Sequence, residues 1–371
     1  MFYAKYLSRT CFALSIFFAA ASLSLHAQSV SAPLTSQELV RLVYQLPAHP
    51  EKRDEIIEEI RQRGINFDLT DGLRSVIATK SSNDVLLRRT LEEAERRRLN
   101  PTAAALPSEA EGQAILDKAR AAALAATEAM PDFIVKQLIT RSYARNMTNN
   151  WQVADRLTVA VSYRQSAGEE YKVLAVNGMP TGEASERPSY EQLGGTSSTG
   201  EYVSMLAALF NEATHTQFKM VDTDVLRGRR TIVYEFAVEK RNSHQMIKAE
   251  GDRQVVTAYH GRIWVDRENY RVLRIENISS EIPVDFPVTA ASSMIDYDWA
   301  TIADKQYLLP SRAIITLASG MGAQTFQSRN DIRFRNYQKF GAEVKITDVD
   351  EADDQDTTEQ KPAPKPAPKK P

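Results

Sequence analysis

The strongest constraint on the fold is a change of hydrophobic period at Pro131. Beyond that residue apolar side chains recur at every second position, as in Ile232, Tyr234, Phe236 and Val238. This alternation is typical of strands that bury one face. The connections between the strands are short and polar, so neighbouring strands are expected to be antiparallel. We count roughly ten to twelve strands.

A sheet of this size must curl or close on itself. The sequence therefore predicts an α+β fold, with a strongly curved antiparallel sheet that forms an open or half β-barrel and with helices against its concave side. Residues 177–200 are predicted to be mostly loop and 201–210 a helix. The predicted strands are 133–143, 157–163, 171–176, 218–225, 232–238, 255–260, 263–266, 271–278, 294–302, 307–309, 313–317, 324–327 and 332–337.

A small helical module is predicted over residues 35–99. Thr35 and Glu38 make a capping-box pattern, and Gly64 is expected to end the second helix. Residues 100–107 are predicted to be a linker, with Pro101 and Pro107 and small residues between them. Ser108 begins an Ala-rich helix that Pro131 ends, and its small side chains favour close packing on a sheet.

The fourth helix of the module, for which Ser82 or Asn83 is the expected cap, carries a basic run. Glutamates interleave with its arginines, which indicates a solvated helix face rather than a basic patch. The residues concerned are Arg88, Arg89, Arg96, Arg97 and Arg98, with Glu92, Glu93 and Glu95.

Both ends of the chain are predicted to lie outside the folded domain of residues 108–347. Residues 1–27 have a basic start, an apolar run from Cys11 to Leu25 and a small residue, Ala27, at the end. This pattern predicts a secretory signal peptide, with an uncleaved anchor as the alternative. Residues 348–371 are acidic and then rich in Lys, Pro and Ala, which predicts a disordered tail.

Removal of the signal peptide leaves a mature chain without cysteine, because Cys11 is the only one. Disulfides and thiolate chemistry are thereby excluded. Loss of Lys5 and Arg9 leaves 44 basic against 48 acidic residues, a net charge of −4. The near-neutral balance argues against nucleic acid as a partner. No other apolar run is long enough to span a membrane.

The sequence carries no recognisable catalytic or metal-binding motif. Histidine is scarce, with no H-x-x-H spacing, and neither G-x-S-x-G nor a phosphate-binding loop is present. The Gly-rich segment 194–200 lacks the following lysine. Asp296 and Asp298 lie two apart on a strand, where a solvent-facing position is favoured over a site. We therefore predict no catalytic residue, no metal site and no cofactor.

Aromatic residues on the predicted strands are the remaining candidates for a site. On a curved sheet one face of each strand points into the concavity, where aromatic side chains line apolar ligand pockets. An ordinary core beneath the helix is the alternative. The candidate ligand-binding residues are Tyr234, Phe236, Trp264, Tyr297, Trp299 and Phe334.

The segment Gly261–Glu276 reads as a hairpin, with Asn269 tolerating the left-handed conformation of a tight turn. Its Trp264-Val265-Asp266 and Arg271–Glu276 halves resemble a signature of the LolA/LolB lipoprotein-carrier superfamily, which includes the periplasmic regulator MucB/RseB. Asn269-Tyr270 replaces the glycine usual near the turn. The resemblance implies an open barrel whose mouth is plugged by helices and which binds a lipid, an acyl chain or a lipoprotein.

Further motifs over about residues 110–347 resemble a group of exported, mostly acidobacterial proteins. They include 130–134, 198–202, 228–230, 307–310 and 334–340. These motifs mark a fold and not an active site, so no catalytic residue follows from them. Together the resemblances imply an exported protein, in the periplasm or at the outer-membrane periphery of a Gram-negative-type bacterium.

Two functions stay open at this point, and an enzyme is disfavoured by the missing motifs. The first is a non-enzymatic envelope protein that binds lipid or lipoprotein acyl chains in the concavity. The second is a structural or protein-interaction scaffold with a filled barrel core. In the second case the tail is expected to contact envelope proteins or anionic surfaces through Lys361, Lys365, Lys369 and Lys370.

Overall fold

The computed structural model describes residues 32–82, 84–101, 105–145, 150–182, 190–193, 204–249, 253–320 and 325–340. The chain divides into two compact units, Met1–Ala32 and Pro33–Pro371, and all described residues but Ala32 belong to the second. The predicted signal peptide, the Gly-rich segment 194–200 and the tail 348–371 lie outside the described residues. The boundary between module and sheet domain stays a prediction.

Six α-helices occur in the described part of the chain. Their bounds are α1 Ser36–Val43, α2 Arg53–Arg63, α3 Asp71–Lys80, α4 Val85–Leu99, α5 Glu109–Glu128 and α6 Ser204–Phe210. The capping box at Thr35 is confirmed. The Thr35 hydroxyl accepts from the Glu38 N–H, and the Glu38 carboxylate accepts from the Thr35 N–H. Gly64 ends α2 with a φ of 68°. Such local signals identify helix ends well, because the residues at a helix end satisfy backbone groups that have no partner within the helix.

The predicted cap of α4 is wrong by one or two residues. Asp84 is the cap, and its carboxylate accepts from the Leu87 N–H at 2.8 Å. Ser82 has a φ of 53°, which is incompatible with the extended backbone of an N-cap. Ser108 caps α5 as expected, accepting from the Glu111 N–H.

Thirteen strands are present in the described residues, eleven of them in one open antiparallel sheet. Its order is β4-β3-β2-β1-β13-β12-β11-β10-β9-β6-β5, and β7 pairs with β8 separately. The strands are β1 Phe133–Arg145, β2 Gln152–Arg164, β3 Gly168–Val176, β4 Met179–Pro180, β5 Gln217–Leu226, β6 Arg229–Val238, β7 Met246–Ala249, β8 Arg253–Val256, β9 Ala258–Asp266, β10 Val272–Ser280, β11 Val288–Ile302, β12 Lys305–Ser319 and β13 Phe326–Lys339.

The eleven strands of the sheet agree with the predicted ten to twelve, but β9, β12 and β13 each join two predicted short strands, and the predicted strand 255–260 also takes in the end of β8. β9 runs through Gly261, where the backbone of β10 approaches closely. β12 runs through Pro310, at a bulge outside the Arg312–Ser319 stretch that pairs with β13. The predicted strands stop before Gly261 and Pro310, whereas the glycine permits a close approach and the proline lies beside a bulge within a longer strand.

Helices cover the sheet on two opposite faces. The inner face packs against α5 and α6 in one large apolar cluster, to which all the long strands contribute, β5 through the partly buried Phe218 and Met220. The outer face of β5, β6 and β9 meets α2 and α4 of the helical module, whose own core is a separate apolar cluster. The two faces therefore offer two different candidate sites.

Candidate functional site

Helix α5 lies on the inner face and fills the centre of the apolar core. Ile115, Leu116 and Ala119 are buried there. The hydroxyl of Tyr234 donates to the carbonyl of Gly112 at 2.7 Å, which joins the helix to β6. Burial raises the pKa of that hydroxyl, so it stays a neutral donor.

Four of the six predicted ligand-binding residues come together on this inner face. They are Tyr234, Phe236, Tyr297 and Phe334, each at most 3% exposed within the large core cluster. Trp264 lies instead in a small cluster on the outer face, and Trp299 is 42% exposed. Ligand binding by these residues stays a prediction.

The β9–β10 turn is ordered by Asp266. Its carboxylate accepts from the backbone N–H groups of Glu268 and Asn269 and pairs with Arg229. Burial alone would raise the pKa of Asp266, but these hydrogen bonds outweigh it and the pKa is lowered. The left-handed residue of the turn is Tyr270, with a φ of 59°, and not Asn269 as predicted. Asn269 accepts from the Arg271 N–H instead.

The same turn holds α5 along one side, and we call its three contacts the clasp. Arg267 pairs with Glu111 at 3.2 Å, and Arg271 donates to the carbonyl of Ala122 at 2.7 Å. Lys118 donates to the hydroxyl of Tyr270 at 3.2 Å and lies 4.4 Å from its ring centroid.

The sequence signal for the hairpin was clear, but its role in holding α5 was not predicted. The clasp residues lie about 150 positions apart in the chain, and only the fold brings them together. Lys118 and Ala122 follow Glu111 by seven and eleven residues. These spacings place all three residues on one helix face.

On the outer face, the module is attached through charged residues. Asp224 of β5 accepts from Arg89 of α4 at 3.2 Å and from the Trp264 indole at 2.8 Å. Arg97 of α4 donates to Asp222 at 2.9 Å. The basic run of α4 was predicted to be a solvated face, and that prediction is wrong for Arg89, Arg96 and Arg97, which pair with Asp222 or Asp224 of β5.

A second set of ion pairs lies on the neighbouring strands. Arg262 of β9 bonds Glu58 of α2 at 2.9 Å and Glu235 of β6 at 2.7 Å. Arg274 of β10 forms two 2.6 Å bonds to Asp296 of β11, and both side chains are only 10% exposed. Asp296 was expected to face solvent, and that expectation is wrong.

Burial changes the protonation of the carboxyls at this interface. It raises the pKa of Glu93 to about 8, with the nearby Asp224 charge adding to the effect. It also raises the pKa of Asp222 to about 6. Both carboxyls therefore hold their protons to higher pH than an exposed carboxyl does.

Between the module and the outer face lies a cavity of about 370 Å³. Its walls come from α2 and α4 and its floor from β5, β6 and β9, with Trp264 on one side. We call it the outer cleft.

The described residues contain neither a cluster of metal-ligating side chains nor a membrane-spanning helix. No group of three or more His, Cys, Asp or Glu side chains there is arranged to hold a metal ion. His215, His244 and His260 are all exposed. None of the helices in the described ranges combines the length and apolarity that a membrane-spanning helix needs.

No family model and no curated protein matches the sequence. Solved structures with weak similarity include the following three. A DUF1329 family protein from Desulfovibrio piger is 9% identical with a TM-score of 0.26, covering 62% of this chain and 94% of that one. The Pseudomonas aeruginosa MucA/MucB complex contains a chain that is 8% identical with a TM-score of 0.19, covering 59% and 94%.

A structure of MucB in complex with MucA(peri) is 10% identical with a TM-score of 0.16, covering 59% of this chain and 94% of that one. MucB belongs to the superfamily that the hairpin sequence resembles. TM-scores this low carry no weight for fold or function, so membership of that superfamily stays a prediction.

Proposed function

We propose that this chain is an exported, non-enzymatic envelope protein that binds an acyl chain of a lipid or lipoprotein on the inner face, in place of helix α5. Its place is the periplasm or the outer-membrane periphery. The observation that supports this is the way α5 covers the sheet: one Ala-rich helix lies over an apolar floor contributed by many strands.

The floor is better suited to an apolar ligand than α5 itself is. The strands contribute Tyr234, Phe236, Tyr297 and Phe334, whereas α5 buries one glycine, one alanine and two larger aliphatic residues. Removal of apolar surface from water is favourable by about 25 cal/mol of free energy per Å², whether a helix or a ligand covers it. Exchange of α5 for an acyl chain therefore replaces one apolar cover by another.

The polar contacts of α5 indicate how such an exchange would proceed. The clasp and the Tyr234–Gly112 hydrogen bond join the helix to β6 and to the β9–β10 turn. Solvent competes for the exposed members of the clasp, and pairs of that kind contribute about 0–1 kcal/mol each. Helix α5 is thus held mainly by apolar contacts that a ligand can substitute.

Binding of a fluorescent fatty acid to delipidated protein tests the proposal. Wild-type protein is expected to bind saturably. Arg271→Gln removes the hydrogen bond from the clasp to the Ala122 carbonyl. It is expected to tighten fatty-acid binding several-fold, because the ligand then has one contact fewer to break when it displaces α5. Arg241→Gln is the matched control, since the Arg241 side chain is 78% exposed and pairs with Glu239 and not with a clasp residue. Absence of binding by all three proteins contradicts the proposal.

The second candidate function is a scaffold, and the filled core favours it. Side chains of α5 and α6 occupy the inner face, and buried strand residues pack directly against them. In this case the inner face binds no fatty acid. Deletion of residues 35–99 or of the tail 348–371 is then expected to change fractionation between periplasm and outer membrane, while unchanged fractionation for both deletions would contradict the scaffold.

A further inference from the structure

The helical module packs its apolar side chains on itself and not on the sheet. Its core is a separate cluster that draws on all four of its helices and includes Leu39, Ile60, Ile77 and Leu91. Among the described residues, no apolar cluster takes side chains from both the module and the sheet. Burial of apolar surface is the main favourable contribution to folding, and here it stabilises each part internally.

Charged side chains attach the module to the outer face instead. Among the described residues, the ion pairs that cross this interface join Arg89 and Arg96 of α4 to Asp224, Arg97 of α4 to Asp222, and Glu58 of α2 to Arg262 of β9. Both members of such a pair give up hydration when they meet, and this cost offsets much of their attraction. Ion pairs therefore hold the two surfaces together less firmly than a shared apolar core would.

The fit between the two surfaces is incomplete. The outer cleft, with a volume of about 370 Å³, lies between them. Nε of Arg97 is buried without a hydrogen-bond partner, and so is Oε1 of Glu276, which lies directly across from Arg262 in the β9–β10 pairing. A buried charged group that lacks such a partner is destabilising. Undocking hydrates both groups and so recovers part of what the lost ion pairs contribute.

We propose that the helical module is a detachable cover of the outer face. Residues 100–107 connect it to α5, and eight extended residues span up to about 26 Å. The module docks at low ionic strength and swings away as a folded unit at high ionic strength, where the screening length falls from about 10 Å to about 3 Å. Undocking uncovers Trp264, which is 3% exposed beside Arg89, and it releases the arginines of α4.

Acrylamide quenching of Trp264 fluorescence measures docking directly. Trp151→Phe with Trp299→Phe leaves Trp264 as the only tryptophan of the chain. We expect the quenching constant to rise about threefold between about 0.05 M and about 1 M sodium chloride, while the far-UV circular dichroism stays constant. A quenching constant that does not change with salt overturns the proposal. A loss of circular dichroism that accompanies the rise also overturns it, because the protein then unfolds rather than undocks.

A charge reversal and its rescue test the ion pairs in the same single-tryptophan protein. Asp222→Arg places like charges opposite each other at Arg97, and we expect it to give the high quenching constant even at low salt. Addition of Arg97→Asp restores opposite charges and is expected to return the low value. Glu170→Arg is the matched control, since Glu170 pairs with Lys172 on β3 and both side chains are 52% exposed. It should leave the quenching constant unchanged.

The proposal is overturned if Asp222→Arg does not raise the quenching constant at low salt, or if Arg97→Asp does not lower it again. Neither measurement involves a fatty acid, so their outcome is independent of acyl-chain binding on the inner face.

Discussion

The indole Nε1 of Trp264 donates a hydrogen bond to Oδ2 of Asp224 at 2.8 Å, and the same carboxylate accepts from Arg89 of α4. The Trp264 ring centroid also lies about 6 Å from the guanidinium groups of Arg89 and Arg274. A strand residue that was read from the sequence as core or pocket wall thus joins the helical module to the outer face of the sheet.

Trp264→Phe removes this hydrogen bond while it keeps an aromatic ring. We expect it to lower the free energy of unfolding by about 1.5–3 kcal/mol, since the lost bond is to a charged acceptor. Denaturant titration followed by circular dichroism measures the change. Trp299→Phe is the control, because Trp299 is 42% exposed and should change stability by less than about 0.5 kcal/mol. Equal effects of the two variants would count against the role of Trp264.

Asp296→Asn leaves the buried Arg274 guanidinium without its carboxylate. The expected cost is about 3–5 kcal/mol, because an uncompensated buried charge is left behind. Asp331→Asn is the matched comparison on the same face. Its pair with Arg312 is more exposed, at 37% and 23%, and its loss should cost about 0–1 kcal/mol. A smaller loss for Asp296→Asn than for Asp331→Asn would refute the buried pair.

Gly261→Ala tests the close approach of β9 and β10. A Cβ atom there would lie 1.9 Å from the backbone oxygen of Glu276 and 2.9 Å from Phe236. We expect a loss of about 3 kcal/mol or failure to fold, because backbone cannot move aside as a flexible side chain can. Gly72→Ala, with no atom within 4 Å, should be neutral or slightly stabilising by helix propensity. Thermal melts of both variants give the comparison.

Stability should fall as pH rises through the range in which Glu93 and Asp222 lose their protons. Their pKa values in the folded state, about 8 and about 6, lie above the ordinary values of 4.5 and 3.8. The folded protein then holds more protons than the unfolded chain. Each group contributes stability that is complete below its ordinary pKa and lost as pH rises through the raised one.

The free energy of unfolding should therefore decrease by up to about 1.4 kcal/mol per pH unit on account of Glu93 between about pH 4.5 and 8, and on account of Asp222 only between about pH 4 and 6. Glu93→Gln should remove the share of this slope due to Glu93 and stabilise the protein at pH 8. Glu268→Gln is the control, since Glu268 is 82% exposed. Denaturant titrations at pH 5, 6, 7 and 8 measure both, and identical slopes for wild type and Glu93→Gln would contradict the assignment.

Most of the sheet could be predicted from period-two alternation, because each strand buries one face and that pattern is local. Helix ends at Thr35 and Gly64 were predictable for the same reason, since caps use neighbouring residues. The predicted strand bounds are wrong at residues whose type is compatible with both a strand end and a strand interior. The predicted strands stop before Gly261 and Pro310, which lie within strands at a close approach and at a bulge.

The contacts of the candidate sites were harder to predict from the sequence, because they join segments that are far apart in the chain. Arg89 and Asp224 are 135 residues apart, and Arg271 and Ala122 are 149 apart. A charged residue in an alternating pattern reads as solvent-facing unless a second layer covers it. The helical module supplies that layer over Asp224, which Arg89 of α4 contacts. No local pattern in α4 or in β5 indicates this contact.

The central claim is that an acyl chain takes the place of α5, and a reversible crosslink tests it. A Cβ atom on Gly112 would lie 2.5 Å from the sulfur of Met220, so Gly112→Cys with Met220→Cys places two thiols within reach of a disulfide. The only native cysteine, Cys11, is in the predicted signal peptide, which is omitted.

Fatty-acid affinity is then measured for the same protein, oxidised and reduced. We predict that the reduced form binds like wild type and that oxidation, which ties α5 to β5, weakens binding at least tenfold. Equal affinities of the oxidised and reduced forms would contradict the displacement of α5.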